Sequence, residues 1–208
     1  MPTLYLATTN PGKLREFREA AQNLALDLEL FPRLKDIKPP LEDGATFEAN
    51  ARIKAEYYSR LLPGELVLAE DSGLSVDELG GAPGVYSARY AAVLKDGTAT
   101  HTNSDDQQNN LALITELERL PNGNHAGKYV CVIALARDGQ VLKTFAGEAQ
   151  GMILTEPRGT GGFGYDPLFY FPRLGKTFAE LPLDQKRANS HRGHAIRAFL
   201  EWFAKARV

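Results

Sequence analysis

Along the first half of the chain, apolar positions switch between short continuous runs and a three-to-four residue spacing. Residues 3–8 (TLYLAT) read as a short buried strand, and Leu14, Phe17, Ala21 and Leu24 then recur at helical intervals. Residues 26–31 predict a second strand. A polar, proline-bearing stretch (32–44) leads to a second helix with the stripe Phe47, Ala51, Ala55, Tyr58 and Leu62. Residues 66–69 predict a brief strand ending at Glu70 and Asp71. Residues 80–84 read as a loop, and 92–103 as an exposed irregular segment. Ser104 and Gln107 match a capping box opening a helix through Leu111, Ile114 and Leu117. Two strand-like runs, 128–136 and 140–145, flank Asp138-Gly139, a hairpin turn signal. The last helix carries Ile196, Phe199, Leu200 and Phe203. Strand–helix alternation followed by a hairpin predicts an α/β fold with a mixed sheet. No repeat, low-complexity tract or linker interrupts the 208 residues, so one domain spanning 1–208 is expected.

Composition narrows the function classes. The chain is 43% hydrophobic and 24% charged, ordinary for a globular protein, and its net charge of -2 provides no global attraction for nucleic acid or an anionic membrane. A polyanionic ligand would need local cations or a metal. Cys131 is the only cysteine, so no internal disulfide forms, which fits a reducing compartment. Without a secretory pattern or an apolar run of about 20 residues, a cytoplasmic location is the expectation.

Five segments carry candidate chemistry. In Thr8-Thr9-Asn10-Pro11-Gly12-Lys13, Asn10 suits an N-cap and Pro11 the first helical position. A helix start with unpaired amides binds anions, phosphate above all, although a plain capped helix with a surface lysine reads the same way. Lys13 opposes the helix dipole unless an anion neutralises it. Asn50 and Lys54, four apart, share a helix face that either lines a cleft or is solvated, and on its own it reads as solvated. Glu42 lies in a loop. Glu70-Asp71-Ser72-Gly73-Leu74 follows an apolar strand, where carboxylates project into ligand crevices and suit Mg²⁺; Asp-Ser-Gly is equally turn chemistry. Gly159-Thr160-Gly161-Gly162-Phe163-Gly164-Tyr165-Asp166-Pro167 lets backbone approach a ligand, with Phe163 and Tyr165 as stacking surfaces and Asp166 as acceptor for an N–H edge or a lysine. The bland alternative is a bulged turn. Lys186, Arg187 and Arg192 offer cations for phosphates and His191 a base contact, in a run that otherwise reads as solvated surface.

The motifs TTNPGK, FEANARIKA, EDSGL, LGGAPGVYSARYA, GTGGFGYDP, FAEL and SHRG, in this order, resemble the inosine triphosphate pyrophosphatase family, which acts on non-standard purine nucleoside triphosphates. The likeness runs from Thr3 to Arg197. It implies a long mixed central sheet flanked by helices, two lobes with an active-site cleft between them, Mg²⁺ and a homodimer. It also implies hydrolysis of ITP, dITP or XTP to the monophosphate and pyrophosphate, removing them from the nucleotide pool. By motif match, Asp71 would accept a proton and bind metal with Glu42. Thr8, Thr9, Asn10, Pro11, Gly12 and Lys13 would hold the triphosphate and Ser72 would touch substrate. Phe163, Gly164, Tyr165, Asp166, Lys186, His191 and Arg192 would shape the base and phosphate pocket. Thr9 stands where the family often has glycine, and Glu70 where it often has aspartate. No nucleic acid or membrane partner is expected.

Overall fold

The computed structural model describes residues 3–21, 27–97, 103–121 and 125–206. Strand β1 (Thr3–Leu6) pairs in parallel with β2 (Asp27–Leu30) and with β3 (Leu66–Val76). Parallel neighbours need crossovers, and α1 (Pro11–Ala21) and α2 (Phe47–Ser59) lie in them. β4 (Ala126–Arg137) and β5 (Gln140–Ile153) are joined by Asp138 and Gly139, at φ 52° and 78°. Two successive positive φ angles are what a tight hairpin turn requires. Two short strands, β6 (Phe169–Phe171) and β7 (Lys176–Thr177), extend the edge antiparallel. The resulting order is β2-β1-β3-β4-β5-β6-β7, a mixed sheet in an α/β fold, as the sequence pattern predicts.

The chain divides into two compact units, residues 1–71, 131–147 and 190–208 in the first, and 72–130 and 148–189 in the second. In the first unit, Leu4, Leu6, Leu66, Leu68, Ile133 and Leu135 sit at alternate strand positions, so one sheet face is apolar. Against it pack Phe17 of α1 and Ile196 and Phe199 of α6 (His191–Phe203). The α2 stripe is buried at Ala51, Ala55 and Tyr58. In the second unit, Leu74, Val76, Leu113, Leu117, Tyr129, Phe169 and Phe178 form the core. Leu113 and Leu117 come from α4 (Asp106–Glu118), which runs beside α3 (Tyr90–Asp96). The Tyr129 and Phe178 rings lie 4.7 and 4.6 Å from Phe169, contacts that add to area burial.

Three expectations change. β3 does not stop at Ala69 but continues to Val76, so Asp-Ser-Gly is strand and not turn; buried Leu74 and Val76 carry the sheet pattern past those polar residues. The cap of α4 is Asp105, whose side chain accepts from Gln108 N, while the Ser104 hydroxyl accepts from Ala92 N. The segment from Ala92 to Asp96 is the continuation of α3, not irregular chain. The expectations on Leu24 and on the loop at 98–102 fall outside the described residues.

Candidate active site

Consecutive residues of a strand point to opposite faces, and β3 places Glu70 and Asp71 in that relation. Asp71 meets α2. Lys54 Nζ donates to Asp71 Oδ1 at 2.8 Å and to Glu42 Oε2 at 2.7 Å, so one ammonium bridges two carboxylates. Asn50 lies one turn before Lys54. Its Nδ2 reaches towards Asp71 Oδ2 (3.4 Å), and its Oδ1 accepts Gly44 N at 2.8 Å, tying down the loop that bears Glu42. α2 starts where Thr46 accepts from Ala49 N, which sets the register of both side chains. Asp71 is 9% exposed. Burial pushes its pKa above the usual aspartate range, against the pull of Lys54, and Glu42 adds to the rise. The two carboxylates in turn keep Lys54 firmly protonated although burial opposes it.

Glu70 faces α1 and α6. Arg192 donates from Nε to Glu70 Oε2 (2.8 Å) and from its second amino group to Oε1 (3.3 Å), while its other amino group meets Glu16 Oε2 at 2.8 Å. Lys13 Nζ lies 2.8 Å from Glu70 Oε1. The Cys131 thiol donates to Glu70 Oε2 at 3.3 Å, and burial pushes that thiol well above its usual pKa. Burial alone would raise the Glu70 pKa, but Arg192 and Lys13 outweigh it and hold the carboxyl well below the usual range.

These contacts revise several expected roles. Asn10 does cap α1, and its Oδ1 takes the amides of both Gly12 (2.8 Å) and Lys13 (3.1 Å), while the Leu14 amide goes to Asn10 O. The helix start therefore does not present unpaired amides. The Lys13 charge beside it is met by Glu70. Thr8 accepts from Asn10 N (3.2 Å) and stays half-buried, and Thr9 and Pro11 are exposed. Arg192, 2% exposed, clamps Glu70 and Glu16, and His191 beside it is buried as well. Asn50 and Lys54 are not a solvated face. Of the two readings of that face, the structure takes the buried one, with both side chains turned to Asp71.

The second unit gathers the other candidates. Lys186 on α5 (Leu183–Asn189), 3% exposed, donates to Asp166 Oδ2 at 2.6 Å and lies 4.8 Å over the Phe163 ring. Phe163 N donates to the same Asp166 oxygen at 2.8 Å. Asp166 thus takes a lysine, one of its two expected uses. Gly162 is fixed by this turn: its φ is 74°, and a Cβ there would come within 2.0 Å of Asp166 Oδ2. Tyr165 is not a stacking surface. Its ring is buried at 3% exposure and its hydroxyl donates to Ser87 O at 2.7 Å. Burial lifts that phenol above its usual pKa. Ser72, half-buried, continues β3 directly after Asp71.

The donor set fits a hard divalent cation. Glu42 and Asp71 contribute carboxylate oxygens around one point of positive charge, now Lys54 Nζ. Among the described residues no group of three or more His, Cys, Asp or Glu side chains could hold a metal alone. Mg²⁺ does not need one, because it binds through one or two carboxylates plus substrate phosphates and water.

The fold and these buried carboxylate–lysine centres define an α/β protein with polar chemistry built on a sheet strand. Residues 4–202 match the Ham1 family. A dITP/XTP pyrophosphatase of Acidobacterium capsulatum is 51% identical over 95% of this chain and 96% of its own length. One from Bacillus subtilis is 40% identical over 95% and 94%. The structure of a HAM1 protein from Coxiella burnetii superposes with a TM-score of 0.85 at 35% identity, covering 99% of this chain and all of that one. The chain belongs to the Ham1 family. No helix among the described residues is long and apolar enough to cross a membrane.

Proposed function

We propose that this protein hydrolyses non-standard purine nucleoside triphosphates, dITP, XTP and ITP, to the nucleoside monophosphate and pyrophosphate, with Mg²⁺ as cofactor. Membership of the Ham1 family and the printed activity of the curated relatives support the reaction. The single observation that carries the chemistry is the Asp71–Lys54–Glu42 cluster: a buried aspartate with raised proton affinity, held beside a fixed cation. Asp71 and Glu42 would hold the metal, which when bound supplies positive charge to phosphate oxygens.

The residues of the chain then do the rest. Asp71 orients the attacking water and takes its proton as the oxygen bonds to the α-phosphorus and the bond to the β-phosphate breaks. A buried aspartate is a stronger base than an exposed one, so proton abstraction and positioning reinforce each other. Lys54 stays charged throughout and offsets the negative charge that builds up. Lys13 lies close enough to bear on the Asp71 carboxyl electrostatically and is held in place by Glu70. In the second unit, Phe163 provides a ring for the base, and Lys186 and backbone N–H groups donate towards a purine 6-keto oxygen. An adenine amino group in the same place would face a donor with a donor, and such mismatches can discriminate by about 10⁴-fold. The homodimer and the cytoplasmic location belong to the same reading.

The test is pyrophosphate release by the purified protein with Mg²⁺ across a panel of nucleoside triphosphates. The expected profile favours XTP, dITP and ITP over ATP, CTP and UTP. A flat profile, or no release from any nucleotide, overturns the proposal.

A further inference from the structure

We infer that Asp106 and Asn110 of α4 are positioning residues for base recognition, acting through the glycine-rich loop. This rests on the function proposed above. The two side chains lie one helical turn apart and share a face. Gly164 N donates to Asp106 Oδ2 at 2.6 Å, and Asn110 Nδ2 donates to Gly164 O at 3.1 Å. Both backbone polar groups of Gly164 are thereby committed to α4. On one side of Gly164, the Phe163 amide is committed to Asp166. On the other, the Tyr165 hydroxyl is anchored to Ser87 O, and the Ser87 hydroxyl itself accepts from Leu74 N (2.9 Å) and donates to Gly84 O (2.6 Å). The Phe163 ring thus stands on a backbone held from both directions, with α4 holding Gly164 itself.

Asn110 is oriented by its bond to the loop. Its Oδ1 is buried and has no partner among the described residues. The Gly164 carbonyl dictates this orientation, since the flipped amide would set two oxygens against each other. Asp106 is exposed, and its side chain accepts from Gly164 N.

Steady-state kinetics with XTP and dITP, calorimetric binding of XTP, and inhibition by inorganic tripolyphosphate test the inference on Asp106→Ala, Asp106→Asn and Asn110→Leu. A lost hydrogen bond to the loop should raise KM and weaken XTP binding by about three- to tenfold, with kcat little changed. Tripolyphosphate, which has no base, should inhibit all variants as it does the wild type. Asp106→Asn keeps an acceptor for Gly164 N and should restore near wild-type KM. Asn110→Leu removes one hydrogen bond and should still unfold in a single cooperative transition, within about 2 kcal/mol of the wild type. Unchanged KM in both Asp106→Ala and Asn110→Leu overturns the inference. So does an equal loss of kcat and tripolyphosphate affinity, which marks general damage. Those results leave the proposed function standing if the wild type turns over XTP. A wild type that neither binds nor cleaves any purine triphosphate overturns both.

Discussion

Replacing Glu70 by glutamine removes one negative charge from a buried cluster without changing its size. In the native protein, Arg192, 2% exposed, is met by Glu70 and Glu16 at 2.8 Å each, and Lys13 by Glu70 at 2.8 Å. Among these four side chains two cations balance two anions. Glu70→Gln leaves one cation in excess beside Arg192, 2% exposed, with water reaching only Lys13, 19% exposed. Breaking a buried pair from one side costs about 3–5 kcal/mol. At about 2–4 °C per kcal/mol for a chain of this size, the melting temperature should fall by roughly 6–20 °C. The control is Asp36→Asn. Asp36 meets Arg33 at 3.0 Å, but both side chains are exposed, and the expected change is within about 0.5 kcal/mol. The pH dependence gives the sign. The folded Glu70 carboxyl titrates below its unfolded value, so its stabilisation is complete above the ordinary glutamate pKa of about 4.3 and is lost as pH falls through the folded value. Wild type and Glu70→Gln should therefore differ fully at pH 7 and converge in acid. Thermal unfolding followed by circular dichroism at several pH values measures this. A variant melting within a degree or two of the wild type at pH 7 refutes the buried-cluster account.

Other outcomes follow from the Asp71 face. Lys54→Met leaves Asp71 and Glu42 opposed without their shared cation, so kcat should fall by about 10²-fold or more, read from pyrophosphate release. In the metal-free protein the Asp71 carboxyl should titrate above the ordinary aspartate range, because burial raises its pKa, and in Lys54→Met at still higher pH; carboxyl-carbon NMR of Asp71 against pH reads both. Chelation of divalent cations should abolish turnover, and added Mg²⁺ should restore it, as expected if Asp71 and Glu42 hold the ion.

The sheet and most helices were legible because their periods are local. Leu66 and Leu68 alternate on one face of β3, and Ile196, Phe199 and Phe203 recur along α6, so each pattern declares its element without help from the rest of the chain. The end of β3 is not legible locally, because Asp-Ser-Gly is turn chemistry in isolation; only the burial of Leu74 and Val76 shows that the sheet overrides it. The site divided in the same way. Asp71, Glu42, Lys186 and Asp166 were singled out by type and position, but which cation meets which anion depends on strand facing. One residue of shift sends Glu70 to Arg192 and Asp71 to Lys54. Tyr165 is ambiguous in sequence for a related reason: an aromatic in a glycine-rich loop offers its face equally to a ligand or to a core, and here Ser87 and the core take it.

The most direct test of the central claim is pyrophosphate release from XTP by wild type and Asp71→Asn, with Mg²⁺ present and folding checked by thermal melting. The account predicts one pyrophosphate per monophosphate from the wild type, and a kcat lower by about 10²–10⁴-fold in a folded Asp71→Asn protein. A folded variant that turns over XTP at near wild-type rate would contradict it.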